Sequence, residues 1–363
     1  MANIDFTLSE YKAGKFVARD TIRGAGAGDD LISPAAGQTN APPFTNFYIS
    51  TGNGNDTVFA GNGNDTILGG SGNDLLLGQL GNDSVDGGSG DDMILDGGPS
   101  TGSAIHTGAD TVTGGAGNDT IYYARDLDGS RLYGNAGDDN ISGSLGNDVI
   151  FGDDGVNSAS TDGSDYIRGG QGADLIYAGG GNDTVRGSAG EGSDTVYGGN
   201  GNDYLSYSSD ESAVQVSGDA GNDIIVGGLS NDTLFGGADF DFVTGGNGAD
   251  LIYGNAGNDV LSGDAGNDTI YGGQGADVLS GGGGKNVLVG DLGADVYQFS
   301  ANAAQDLVLG FNQSVGDRLS LGGQTYTTGT AQNGDALLTL SGGGTIDLAG
   351  IKADQVNASF FAA

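Results

Sequence analysis

Aspartate returns every nine residues along much of this chain. The longest run is Asp223, Asp232, Asp241, Asp250, Asp259, Asp268 and Asp277, and an earlier one is Asp56, Asp65, Asp74, Asp83 and Asp92. Shorter runs lie between them: Asp110 and Asp119, Asp139 and Asp148, then Asp165, Asp174 and Asp183, then Asp194 and Asp203. Two residues after nearly every repeat aspartate stands an aliphatic side chain, as in Val58, Ile67, Leu76, Val85 and Ile94. A glycine-rich turn followed by polar, aliphatic and variable positions predicts a tight turn and a three-residue strand whose one inward side chain is the aliphatic. Two such units close a coil of 18 residues. Stacked coils then form parallel strands and bury an aliphatic ladder that no single repeat could bury alone. The expected fold class is all-β, a parallel β-solenoid.

The acidic residues are chosen narrowly. Net charge is −37, and among 48 acidic residues only Glu10, Glu191 and Glu211 are glutamate. A short carboxylate at fixed distance from the backbone is being demanded, and Asp tolerates turn conformations that Glu does not. Stacking at 18-residue spacing predicts one column of Asp56, Asp74, Asp92 and Asp110, and another of Asp65, Asp83 and Asp119, each repelling itself strongly. With 11 basic residues the chain cannot neutralise these columns. Calcium is the expected counter-ion, in several copies, because it accepts carboxylate and carbonyl oxygens in variable geometry, whereas magnesium prefers strict octahedra. All the repeat aspartates named above are candidate metal ligands.

The same charge excludes nucleic acid and bare anionic membrane as partners. There is no cysteine, so neither disulfides nor thiolate metal sites are available. No run of about 18 apolar residues predicts a transmembrane segment, and Met1 to Phe16 lacks the apolar stretch of a secretory signal. Register breaks occur where Asp119 to Asp139 and Asp203 to Asp223 span 20 residues and Asp183 to Asp194 spans 11, which predicts lengthened turns within surviving coils. Thr101 and Asn286 occupy repeat-aspartate positions, where a weakened or missing ion is expected. Asp30 and Asp295 are outlying repeat positions. The expected organisation is an amino-terminal cap and loop over 1–53, with Pro34, Pro42 and Pro43 in its loop, a repeat region over 54–299, and a β-rich carboxy-terminal cap over 300–363.

The nonapeptide, as in Gly245-Gly246-Asn247-Gly248-Ala249-Asp250-Leu251-Ile252-Tyr253, resembles the G-G-x-G-x-D-x-U-x repeat of RTX proteins. The resemblance implies a right-handed β-roll in which the repeat aspartates and neighbouring turn carbonyls bind calcium. The tail, with Gly293-Ala294-Asp295-Val296-Tyr297-Gln298-Phe299, Asp306 to Phe311 and Gly316 to Leu319, is similar to the end of serralysin-like secreted proteins. That similarity implies recognition by a type I secretion exporter, with Ser359 to Ala363 as the apolar end of an uncleaved signal.

No catalytic centre is expected. H-E-x-x-H is absent, and a single histidine, His106, cannot build a multi-histidine zinc site. Gly98-Pro99-Ser100-Thr101-Gly102 fits G-x-S-x-G, but a nucleophile elbow needs a strand before it and a helix after it, so the segment reads as a degenerate coil. Asp126-Leu127-Asp128-Gly129 is similar to part of an EF-hand loop without its closing Glu, and reads as a turn. Outward strand positions form two apolar stripes: Phe235, Tyr253, Tyr271 and Val289 on one face, and Ile224, Phe242, Val260, Val278 and Val296 on the other. Caps or loops are expected to cover them, the alternative being self-association into filaments or sheets. Three functions follow as expectations: a secreted structural or surface-layer protein assembled by calcium at the surface of a Gram-negative-type bacterium, a calcium-dependent adhesin, or an export and folding module of a secreted enzyme system.

Overall fold

The computed structural model describes residues 2–6, 20–23, 28, 30–34, 46–96, 107–123, 126–153, 162–190, 192–300 and 305–362. The chain divides into two compact units, Met1–Thr184 and Val185–Ala363. Each unit is a parallel β-solenoid of strands and turns, with almost no helix among the described residues.

In the first unit one sheet carries Thr57–Asn62, Leu75–Leu80, Met93–Leu95, Thr120–Tyr122, Asn140–Ser142 and Tyr166–Arg168, each parallel to the next. The opposite sheet carries Phe47–Asn53, Thr66–Ser71, Ser84–Ser89, Thr111–Ala116, Arg131–Ala136, Val149–Phe151 and Leu175–Gly180. The register puts aliphatic on aliphatic: Val58, Leu76, Ile94, Ile121, Ile141 and Ile167 stack in one sheet, and all are fully buried. Parallel pairing begins before the repeats, with Asp30–Pro34 joined to both Ala2–Phe6 and Thr57–Asn62.

In the second unit the corresponding ladders are Leu205, Ile225, Val243, Leu261, Leu279, Tyr297 and Leu319 in one sheet, and Val196, Val216, Leu234, Ile252, Ile270, Leu288 and Val308 in the other. The parallel ladder runs beyond Phe299: Gln305–Leu309 pairs with Val287–Leu292, and Arg318–Ser320 with Val296–Gln298. Only then does Tyr326–Thr330, Ala336–Leu340 and Thr345–Leu348 form an antiparallel meander, whose last strand lies parallel to Gln305–Leu309.

Strands differ from the three-residue expectation. Many run six residues, as in Thr66–Ser71, because pairing resumes beyond the first turn glycine: Gly70 and Ser71 lie in register with Gly52 and Asn53, and with Gly88 and Ser89. Glycine is required there. Gly70 has φ +107° and packs onto the Gly52 carbonyl of the neighbouring coil, where any side chain would collide.

The outward positions stack as rings. Tyr133, Phe151 and Tyr177 lie 5.0 and 5.1 Å apart in the first unit, and Phe235, Tyr253 and Tyr271 lie 5.1 and 5.0 Å apart in the second. Among the described residues nothing covers Ile224 and Phe242, which are 44% and 43% exposed. Among the described residues no helix is long and apolar enough to cross a membrane.

Candidate metal centre: the aspartate columns

Every repeat aspartate is buried to 3% exposure or less. The cause is local: each stands at the end of a glycine turn, two residues before an inward aliphatic, and its side chain turns towards the preceding coil. One carboxylate oxygen ties the coils together. The Asp56 N–H donates to Asp74 Oδ1 (2.7 Å), Asp74 N–H to Asp92 Oδ1 (2.8 Å), Asp92 N–H to Asp119 Oδ1 (2.7 Å) and Asp119 N–H to Asp139 Oδ1 (2.7 Å). Asp165 and Asp183 continue this edge, at 2.8 Å for each step. On the other edge Asp65 N–H donates to Asp83 Oδ1 (2.8 Å), Asp83 N–H to Asp110 Oδ1 (2.7 Å), and Asp148 N–H to Asp174 Oδ1 (2.8 Å).

In the second unit one edge runs Asp203, Asp223, Asp241, Asp259, Asp277, Asp295 and Asp317 by the same contact, at 2.8 to 3.1 Å. The other runs Asp232, Asp250, Asp268, Asn286 and Asp306. Asp194 is equally buried.

The columns differ from the expected grouping after Asp92. Asp119, not Asp110, follows Asp92, and Asp110 joins Asp65 and Asp83. The coil there holds 27 residues, not 18, as the pairing of Ser84 with Thr111 and of Met93 with Thr120 requires. Both expected 20-residue coils are present, with Thr111 opposite Arg131 and Thr195 opposite Gln215. Thr101, Ser100 and His106, with the whole G-x-S-x-G segment, lie outside the described residues. Asp126 opens a turn, its Oδ1 accepting the Asp128 N–H at 3.1 Å.

The second oxygen has a different fate. Oδ2 of Asp56, Asp65, Asp74, Asp83, Asp92, Asp119, Asp139, Asp165, Asp223, Asp241, Asp250, Asp259, Asp268, Asp277, Asp295 and Asp306 is buried with no hydrogen-bond donor from the protein. Leaving so many carboxylate oxygens buried and unsatisfied is costly. Burial lifts several of the repeat carboxyls, only partly opposed by the N–H from the preceding coil: Asp74 and Asp83 to about 7, Asp139 to about 8 and Asp110 to about 9. Neighbouring aspartates add to the rise.

These oxygens fit calcium. They are hard and anionic, and turn carbonyls lie beside them: a Cβ on Gly69 would strike both Asp74 Oδ2 and the Gly87 carbonyl oxygen. Repeat carboxylates do not cluster in threes among the described residues, so each contributes separately and carbonyls would complete a coordination shell.

Three positions depart from the rule. Asp148 Oδ2 accepts the Ser144 N–H (2.6 Å) and hydroxyl (2.9 Å), and Asp232 Oδ2 accepts the Gly228 N–H (2.6 Å). At Asn286 the amide Nδ2 donates to Asp306 Oδ1 (2.9 Å) and faces Gly281, where an aspartate would present Oδ2. Reasoning from the repeat missed Asp306 and Asp317, because 20 and 22 residues separate them from Asn286 and Asp295. It also missed Asp96 and Asp126, which have no nine-residue signature.

A family model for the RTX calcium-binding nonapeptide repeat matches the chain in overlapping stretches that together span 48–94, 106–210 and 215–297. A solved structure of a hyperactive, Ca2+-dependent, β-helical antifreeze protein from an Antarctic bacterium matches at 17% identity with a TM-score of 0.38, covering 79% of this chain and 86% of that one. Comparison with curated proteins gives no match. With nonapeptides matched over more than half its length and their aspartates stacked on both edges of each unit, this chain is a member of the RTX calcium-binding nonapeptide repeat family and binds several calcium ions.

Proposed function

We propose that the protein is a secreted structural protein of surface-layer type, without catalytic activity, whose coils close on extracellular calcium and then assemble. The observation that carries this reading is the row of buried, donorless Oδ2 atoms in a chain of net charge −37. Without cations the columns repel and the thin aliphatic ladder cannot hold the coils closed. With them, binding that occurs only in the folded state adds directly to folding free energy. The repeat aspartates are the ligands, with Asp148, Asp232 and Asn286 as the weak or ion-free positions.

Export through a type I exporter is supported by the serralysin-like tail residues. Assembly is supported by the exposed Ile224 and Phe242 and by the ring stack of Phe235, Tyr253 and Tyr271. Circular dichroism of chelated protein should show loss of the strand signal, restored by calcium; a signal indifferent to chelator overturns the folding role. Electron microscopy should show sheets or filaments with calcium and none with Phe242→Glu, while monomers at every calcium concentration overturn assembly.

A further inference from the structure

The first unit contains a carboxylate cluster that does not belong to the repeat. Asp96, Asp110 and Asp126 are all buried, and one oxygen from each lies within 4.8 Å of the others. Asp110 is a repeat residue; Asp96 and Asp126 are not. Asp96 and Tyr123 occupy the place, four residues after a repeat aspartate, that Gly69, Gly78 and Gly87 fill elsewhere. At those glycines a Cβ would strike the aspartate carboxylate of the same turn. The 27- and 20-residue coils thus exchange a glycine cradle for polar side chains.

Backbone contacts fix the cluster. Asp96 N–H donates to the Tyr122 carbonyl (3.2 Å), Asp126 N–H to the Tyr123 carbonyl (3.1 Å), and Leu145 N–H from the next coil to the Asp126 carbonyl (2.8 Å). The Tyr123 side chain is fully buried, and its hydroxyl has no hydrogen-bond partner. That hydroxyl faces the cluster: burial first, then the charges of Asp110, Asp96, Asp83 and Asp126, hold its proton tightly. Three carboxylates this close cannot all be ionised without a counter-charge.

We propose that Asp96, Asp110 and Asp126, with the Tyr123 hydroxyl, form a separate site for one hard divalent cation of calcium's size, distinct from the repeat sites in drawing three carboxylates onto a single ion. More carboxylates per ion means tighter binding, so this site fills before the repeat columns. The second unit supplies an internal contrast. Tyr207 and Asp210 repeat the turn, with Asp210 N–H donating to the Tyr207 carbonyl (2.7 Å), but the place matching Asp96 is Gly187, against which the Tyr207 ring packs. No carboxylate triad forms there among the described residues.

The test uses the full chain, native mass spectrometry to count bound calcium, and terbium luminescence excited through tyrosine. The double variant Asp96→Asn/Asp126→Asn should bind one calcium fewer and lose the tightest class of sites, at least about tenfold in affinity. Asp259→Asn in the second unit should leave that class intact. Tyr123→Phe should keep the ion count and dim the emission of the first terbium bound. An unchanged count in a double variant with wild-type circular dichroism overturns the site and assigns the cluster to shared protons. Should the double variant not fold, first-terbium emission unaltered by Tyr123→Phe overturns it equally.

Discussion

In Asp259, Oδ1 accepts the Asp241 N–H at 2.9 Å while Oδ2, equally buried, receives nothing from the protein, so an amide in its place would keep the first contact and spoil the second. Asn286 already displays that arrangement, its Nδ2 standing where Oδ2 stands elsewhere. Asp259→Asn should therefore raise the calcium concentration needed for half-folding without changing the strand content reached at saturation, as a calcium titration followed by circular dichroism would show. The facing glycine is as constrained as the carboxylate. A Cβ on Gly254 would strike both Asp259 Oδ2 and the Gly272 carbonyl oxygen. Gly254→Ala should cost about 1–3 kcal/mol, the usual range for overpacking, measured by denaturant unfolding in saturating calcium.

At the scale of the strand, each nonapeptide commits one aliphatic side chain to the interior. Leu261, fully enclosed between Val243 and Leu279, is the type. Leu261→Ala should destabilise by about 2–5 kcal/mol, because neighbours held in register cannot collapse into the space, and thermal unfolding with calcium present would read it. This ladder was legible from the sequence, since an aliphatic two residues after each aspartate can point only one way in a short strand. So was the division of aspartates between two edges, up to Asp92. It failed beyond that residue for a simple reason: an insertion of nine residues keeps the nine-residue phase but moves every later aspartate to the opposite edge. Spacing cannot distinguish Asp110 above Asp92 from Asp110 above Asp83; the hydrogen bonds do. Asp306 and Asp317 escaped because their turns have lost the glycine pattern, and Asp96 and Asp126 because their partnership depends on how a lengthened coil folds back.

For the molecule as a whole, the balance lies between a charge of −37 and whatever cancels it. Protons are one means. In calcium-free protein burial lifts Asp65 and Asp119 to about 6, Asp74 and Asp241 to about 7 and Asp139 to about 8, from an ordinary 3.8. Between the ordinary value and these raised values the folded chain holds more protons than the unfolded one. The stability contributed by protonation is therefore complete below about pH 4 and is lost as pH rises through 6 to 8. With chelator, the strand signal should persist near about pH 5 and vanish near about pH 8, and calcium should restore it at the higher pH. A metal-free protein more stable in alkali than in acid would contradict the placement of these carboxyls. The coil-to-coil tie has a sense as well as a strength. The N–H of Asp223, Asp241 and Asp259 is claimed by the carboxylate of the winding that comes later in the chain, and the carbonyl of each by a backbone N–H of that same winding, as Val260 N–H claims the Asp241 carbonyl. A lone winding therefore satisfies neither group, and closure takes at least two successive windings.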